Sequence, residues 1–259
     1  MKSFIKLLLY VIIAGYLVYK YVLPYYKSFN AEKESTELYN NLKNDGLDWE
    51  TFARSTLGNN IYFIEFGDSG DVTLIFGAFH GDEQGGFHLV TELARYIAAS
   101  PGLIKNKVVI VPVLNPDGLL AGTRTNSNDV DINRNFPTEN WSPAYSDSKN
   151  FPGEKPASEV ETNVAMQLID KYKPVKIITV HAAMHVINYD GPGQALAREI
   201  AKYNKYDVSD DIGYATPGSF GTYAGKELGI PTITLELPHY DPPQAWKDNK
   251  EALIKAINF

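Results

Sequence analysis

The sequence predicts an α/β sandwich built around a largely parallel sheet. Apolar runs such as "VTLIFGAF" (72–79) and "KVVIVPVL" (107–114) alternate with helix-like segments such as "EQGGFHLVTELARYIAA" (83–99). Strands that alternate with helices are typical of a parallel sheet covered by helices. The length of 259 residues and the hydrophobic share of 44% fit one sizeable core better than two.

The remaining elements follow the same alternation. Strands are predicted at residues 60–66, 175–180 and 229–237, and helices at 158–172, 193–204 and 241–257. Asp241 is placed to cap the last helix, with two prolines in its first turn. Because ligands of such folds bind at the carboxyl ends of the strands, polar side chains at those ends are the candidates for function.

Charge and composition exclude several classes of function. The formal charge is −7, from 31 acidic against 24 basic residues, which argues against nucleic acid as a partner. The chain contains no cysteine, so disulfides, thiolate catalysis and cysteine metal sites are excluded. Any metal ion would have to be held by His, Asp or Glu.

The first 27 residues differ from the rest of the chain. The uncharged run "LLLYVIIAGYLVY" (7–19) is flanked by lysines and followed by further apolar residues. Its apolar reach of about 17 residues is the lower limit for a membrane-spanning helix. We therefore expect a transmembrane anchor at residues 1–27; a cleaved signal peptide is the alternative, but no convincing cleavage site follows. Residues 28–50 read as a polar stalk and residues 51–259 as the catalytic domain.

Three residues at strand ends suggest a metal site. His80 and Glu83 follow one predicted strand in "HGDE", and His181 follows another. Two histidines and one glutamate form a ligand set that holds zinc with one position open. Glu236 lies at the apolar end of "TITLEL", where a carboxylate is costly to bury without a partner.

The segment 115–141 is too long for an ordinary connection, which usually runs about 4–6 residues. It carries Arg124 and Arg134 among many Asn and Asp residues. A guanidinium can bind a substrate carboxylate or a developing oxyanion, whereas a solvated loop is the plain alternative.

In this order, "HGDE", "NPDG", "DINRNFP", "ASEVET", "GYATPGSFGTY" and "ITLELP" resemble the zinc carboxypeptidases of the carboxypeptidase A type. The resemblance covers roughly residues 50–240. It implies a three-layer α/β/α sandwich with a mixed, mostly parallel sheet, and one Zn²⁺ per chain held by His80, Glu83 and His181.

The resemblance also implies roles for the remaining site residues. Glu236 would act as general base towards a zinc-bound water, and Arg124 would stabilise the oxyanion. Asn133 and Arg134 would hold the carboxylate of the leaving residue, and Tyr214 would close over the substrate. The expected reaction is hydrolysis of an amide bond in peptidoglycan-derived peptides, namely the bond between γ-D-glutamate and meso-diaminopimelate.

Other readings of the function stay open at this point. The same scaffold could act as a carboxypeptidase on other peptides, as an N-acyl amino acid deacylase, or as a wall-binding protein without activity. The expected location is the bacterial inner membrane, with the catalytic domain outside the cytoplasm and a cytoplasm-facing domain as the alternative.

Overall fold

The computed structural model describes residues 2–259, and their side chains except those of 2–9 and 23–29. Its helices are α1 (Lys2–Leu17), α2 (Leu23–Asn41), α3 (Gln84–Ala99), α4 (Pro116–Ala121), α5 (Val160–Tyr172), α6 (Gln194–Asn204) and α7 (Pro242–Asn258). Its strands are β1 (Glu50–Arg54), β2 (Asn60–Phe66), β3 (Val72–Phe76), β4 (Lys107–Val111), β5 (Lys176–Ala182), β6 (Val186–Asp190), β7 (Asp207–Ser209) and β8 (Thr232–Leu237).

The eight strands form one mixed sheet in the order β1-β2-β4-β3-β5-β8-β6-β7. The central strands β4, β3, β5 and β8 are parallel to one another. Strand β2 joins this centre at β4 and strand β6 joins it at β8, each antiparallel to the central strand that it joins. The prediction of a mixed α/β sheet with a parallel centre is therefore confirmed.

Apolar side chains fill the space on both faces of the sheet. In β4, Val108 and Ile110 belong to one buried cluster with α3, α6 and α7, whereas Val109 and Val111 belong to a second cluster with α5. Successive side chains of a strand point to opposite faces, so a strand buried on both faces reads as an unbroken apolar run. This accounts for the apolar runs from which the sheet was predicted.

The predicted N-terminal transmembrane helix is wrong. No helix in the described part of the chain is both long enough and apolar enough to cross a membrane. Helix α1 has 16 residues, which at 1.5 Å per residue span only about 24 Å against a hydrocarbon core of about 30 Å. The helical turns that follow contain Lys20 and lead into the polar sequence of α2.

Helix α2 and the turn after it lie against the domain. The side chains of Ala31, Ser35, Tyr39, Leu42 and Trp49 are all buried. Tyr39, Leu42 and Trp49 belong to the same apolar cluster as α3 and α7. Residues 30–49 thus contribute to the core, while the division of the chain at residues 27 and 50 stays a prediction.

Candidate active site

Three side chains converge at the carboxyl ends of β3 and β5. The Nδ1 atoms of His80 and His181 each lie 2.8 Å from one carboxylate oxygen of Glu83. The two Nδ1 atoms are 3.3 Å apart. One donor atom from each residue lies within 4.8 Å of the others, and all three side chains are almost fully buried. The structure thus brings together the three residues that the sequence marked as metal ligands.

The sheet explains why these residues meet. β3 and β5 are adjacent and parallel, with Phe76 paired to Thr179, so the segments that leave their carboxyl ends start side by side. The turn after β3 also packs tightly on α4: a Cβ atom at Gly81 would lie 1.9 Å from the carbonyl carbon of Gly118. Only glycine fits there, and the tight contact fixes the turn that presents His80 and Glu83.

Asp131 orients the first histidine, and the sequence reasoning missed it. Its side chain is fully buried, and its Oδ1 accepts a hydrogen bond of 3.0 Å from Nε2 of His80. Its Oδ2 accepts from Nε and Nη2 of Arg124 at 3.2 and 3.0 Å. A proton held on Nε2 leaves the Nδ1 lone pair of His80 free for a cation. The only feature of the sequence that could have pointed to Asp131 is its place two residues before Asn133, a predicted site residue.

The electrostatics of this cluster favour a cation. Burial alone would lower the pKa of His80, but the carboxylates of Glu83 and Asp131 outweigh burial and raise that pKa to about 9. Burial would raise the pKa of Glu83, but the two imidazoles hold it well below its usual range. Two ionised carboxylates thus surround the two histidines, and a positive charge between them is stabilised.

The donor set fits zinc. Two imidazole nitrogens and a carboxylate are ligands that Zn²⁺ takes, and three protein ligands leave a further position free, as in catalytic zinc sites. The hydrogen bond from His80 to Asp131 supplies the outer carboxylate that metal-bound histidines usually have.

Glu236 lies beside this cluster on β8. It is paired in register with His181 of the parallel strand β5 and is only 8% exposed. Its Oε2 is buried and has no hydrogen-bond partner among the described residues. Burial raises the pKa of Glu236, partly offset by His181, while Glu83 adds to the increase. A buried carboxylate with an unpaired oxygen and a raised pKa is suited to accept and return a proton.

Arg124 contacts the metal-ligand cluster directly. In addition to its bonds to Asp131, its Nη1 lies 3.3 Å from Oε1 of Glu83. A guanidinium has five N–H donors, and three are engaged by Asp131 and Glu83. The remaining two N–H groups can donate to a substrate oxygen.

The predicted substrate-binding residues line the same cavity as the metal-ligand cluster. This cavity, which we call the metal cavity, has a volume of about 600 Å³ including the part open to solvent. It is lined by the eight predicted site residues His80, Glu83, Arg124, Asn133, Arg134, His181, Tyr214 and Glu236. The amide of Asn133 accepts from the backbone N–H of Phe220 at 2.8 Å, and Nη1 of Arg134 donates to the carbonyl of Asn133 at 2.7 Å.

Asp190 also lines the metal cavity and was not singled out from the sequence. It ends β6, and its Oδ1 forms an ion pair of 3.1 Å with Nζ of Lys226. Its Oδ2 lies so close to Gly221 that a Cβ there would be only 2.1 Å away. The carboxylate adds a negative charge to the cavity that also contains Arg134.

A mixed α/β sheet whose parallel central strands carry a His₂Glu cluster and an adjacent carboxylate at their carboxyl ends defines a metal-dependent hydrolase. The family model described as zinc carboxypeptidase matches residues 35–195. Murein peptide amidase A from Vibrio campbellii is 33% identical over 220 residues, covering 80% of this chain and 86% of that protein. Its counterpart from Escherichia coli K12 is also 33% identical, covering 76% and 84%. The chain belongs to the zinc carboxypeptidase family and is a zinc-dependent hydrolase.

Solved structures agree with this assignment. The murein-tripeptide amidase MpaA from E. coli O157 superposes with a TM-score of 0.70 at 28% identity, covering 82% of this chain and 92% of that one. Carboxypeptidase A from Helicoverpa armigera also reaches 0.70, at 20% identity and with coverage of 87% and 70%, which is a likeness of fold.

Proposed function

We propose that this enzyme hydrolyses the amide bond between γ-D-glutamate and meso-diaminopimelate in peptidoglycan-derived peptides. The observation that carries the proposal is that one cavity contains the three metal ligands, the unpaired carboxylate of Glu236 and the guanidinium of Arg134. The similarity to murein peptide amidases over most of both chains supports the choice of substrate.

His80, Glu83 and His181 would hold Zn²⁺, which would supply Lewis acidity towards a water molecule and the carbonyl of the bond that is cut. The buried carboxylate of Glu236 accepts the proton of the attacking water and returns it to the leaving amine. The two free N–H groups of Arg124 donate to the carbonyl oxygen as negative charge develops there.

The leaving residue fits the opposite charges of the metal cavity. A diaminopimelate leaving group carries a carboxylate beside its reacting amine, and Arg134 and Asn133 provide donors for it. Its distal end carries an ammonium group and a second carboxylate, which match the two charges of the ion pair between Asp190, in the cavity wall, and Lys226. Tyr214 is 55% exposed at the cavity, and we expect its ring to close over a bound peptide.

The test is digestion of defined muropeptides with the zinc-loaded enzyme, with the products identified by mass spectrometry. Released diaminopimelate is expected from L-alanyl-γ-D-glutamyl-meso-diaminopimelate. Release of terminal D-alanine instead, or cleavage of N-acyl amino acids only, would contradict the proposal.

Glu236→Gln should reduce kcat by about 10²- to 10⁴-fold, the usual contribution of a general base. The zinc content should stay near one per chain, because the substitution leaves the three ligands in place. Glu154→Gln, at an exposed position, is the matched control. A Glu236→Gln variant as fast as the wild type would rule out this role for Glu236.

The location of the enzyme outside the cytoplasm stays a prediction. The enzyme should be found in the fraction released when spheroplasts are made, or be digested by protease added to them. A domain that stays with the spheroplasts and is fully protected would place it in the cytoplasm, where it would act on imported wall peptides.

A further inference from the structure

A second cavity adjoins the metal cavity at Arg124. We call it the Lys149 cavity; its wall includes Arg124, Lys149, Asp82, Asp129, Tyr145 and Phe151. None of the residues that receive the leaving group in the proposed reaction lines it. Its volume of about 1040 Å³, including the part open to solvent, is ample for a dipeptide.

The acyl part of the bound substrate has to extend from the metal site in a direction away from Arg134 and Tyr214, because those residues bind the leaving group. Two further cavities share Arg124: the Lys149 cavity, and one whose wall includes Gln84, Leu237 and Tyr240. The described residues of the latter include no lysine and no second arginine. Among the described residues of these two cavities, a lysine is found only in the Lys149 cavity, so a free carboxylate on the acyl group has an additional permanent cation there.

The loop that carries Lys149 is held close to the reacting centre. The backbone N–H of Asp131 donates to the carbonyl of Phe151 at 2.8 Å, next to the contacts of Asp131 with His80 and Arg124. Asp147 caps the short helical turn Ser148–Asn150 by accepting from the N–H of Lys149 at 3.0 Å. The side chain of Lys149 is exposed and has no ion-pair partner among the residues whose side chains are described.

The chemistry of a γ-glutamyl bond gives such a cation a specific partner. When glutamate is joined through its side-chain carbonyl, its α-carboxylate stays free on the acyl side of the bond that is cut. The guanidinium of Arg124 is bonded to Glu83 and Asp131, and its two free N–H groups face the carbonyl oxygen in the proposed reaction, so the α-carboxylate needs a different cation. We propose that the Lys149 cavity binds the acyl part of a γ-D-glutamyl peptide and that Lys149 binds its free α-carboxylate.

The acids of this cavity complete the match. Asp82 and Asp129 would repel a second anion, but they attract the ammonium of a free amino terminus on the residue that precedes glutamate. The rings of Tyr145 and Phe151, whose centroids are 5.1 Å apart in an edge-to-face contact, provide an apolar wall for the side chain of that residue. The acyl group that fits is thus a short, zwitterionic peptide.

This inference rests on the proposed function, and its test separates the two. Two tripeptides are compared, L-alanyl-γ-D-glutamyl-meso-diaminopimelate and the same peptide with the glutamate α-carboxylate amidated. The bond that is cut is identical in both, and only the charge next to it differs. The zinc-loaded wild type, Lys149→Gln and Lys105→Gln are assayed on each. Lys105 is the matched control, an exposed lysine just before β4 at the amino end of the sheet.

For the wild type, amidation should lower kcat/KM by roughly 3- to 10-fold, as expected for a partly screened ion pair. Lys149→Gln should lose about the same factor on the acidic peptide and should cut both peptides equally well, while Lys105→Gln should behave as the wild type. Binding of the acidic peptide to Glu236→Gln, measured by calorimetry, should weaken by a similar factor when Lys149→Gln is added.

Equal cleavage of the two peptides by the wild type would overturn the role of Lys149 and leave the proposed function intact. A Lys149→Gln variant that still prefers the acidic peptide over the amidated one by the wild-type factor would also overturn the role of Lys149 and leave the proposed function intact. Failure of the zinc-loaded wild type to cut either peptide would overturn the proposed function and this inference with it.

Discussion

Asp131 joins a metal ligand to the residue proposed to bind the oxyanion. One carboxylate oxygen accepts from His80 and the other from Arg124, and the side chain is fully buried. Asp131 therefore fixes the tautomer of one ligand and the position of the guanidinium at the same time. A substitution of this carboxylate should therefore disturb both the tautomer of His80 and the position of the Arg124 guanidinium.

Asp131→Asn should weaken zinc binding by about 10- to 100-fold, the usual effect of losing the outer partner of a metal-bound histidine. The amide keeps the shape of the carboxylate but loses the charge that holds the proton on Nε2 of His80. Competition with a chelator of known zinc affinity measures the change, and Asp68→Asn, at an exposed position, is the control. An unchanged zinc affinity would show that Asp131 does not orient His80.

Helix α2 connects the N-terminal part of the chain to the elements that carry the site. Ser35 is within hydrogen-bond distance, 3.1 Å, of Nε2 of His88 in α3, the helix that follows Glu83. Glu34 accepts a hydrogen bond of 2.9 Å from the hydroxyl of Tyr240, four residues after Glu236. Together with the buried Tyr39 and Leu42, these contacts make α2 part of the support of the carboxyl edge of the sheet.

A chain of residues 51–259 should be less stable than residues 30–259 by about 5 kcal/mol or more. The shorter chain loses the burial of Tyr39, Leu42 and Trp49, each worth about 1.5–3 kcal/mol. Denaturant unfolding of the two chains measures the difference. If residues 51–259 do not fold, Leu42→Ala in the full chain should still cost about 2–5 kcal/mol. Equal stability of the two chains would show that residues 30–50 are dispensable, as a stalk would be.

The elements that the sequence predicted well are those whose pattern reports burial. β3 and β4 are largely apolar runs, so the sheet could be predicted from the sequence. The polar residues that follow these runs could then be assigned to the carboxyl edge of the sheet. The packing of α2 against the domain could not be predicted, because its polar sequence shows no apolar stripe. Which of its positions are buried depends on the elements that pack against it. The apolar run of α1 was misread for a related reason, since composition indicates hydrophobicity but not where a helix ends.

At the scale of the whole molecule, the site is a product of the strand order. His80, His181 and Glu236 are far apart in sequence, but they follow or end β3, β5 and β8, which are consecutive in the sheet. Their meeting could be expected once a parallel sheet was assumed. The sequence could not predict the positions of three other residues in the cavities, Asp131, Lys149 and Asp190. They lie in a long loop or at the end of an antiparallel strand. Long-range contacts alone decide where such residues point.

The buried cluster also makes the stability of the whole domain depend on metal and pH. In the metal-free protein the pKa of His80 is raised from 6.5 to about 9 by its two carboxylate neighbours. A raised pKa in the folded state stabilises the fold fully below pH 6.5, and this contribution is lost as the pH rises towards about 9. Zinc requires histidines without the competing proton, so its binding improves over the same range.

Removing zinc with a chelator should therefore lower Tm more at pH 9 than at pH 6.5. Thermal unfolding of the zinc-loaded and metal-free proteins across this range measures the difference, with free zinc held constant because bound ligand itself raises Tm. His80→Gln, freed of metal, should lose the fall in Tm between pH 6.5 and 9, since it has no group to deprotonate there. A metal-free wild type whose Tm is constant over this range would show that His80 does not carry the proton that its carboxylate neighbours favour.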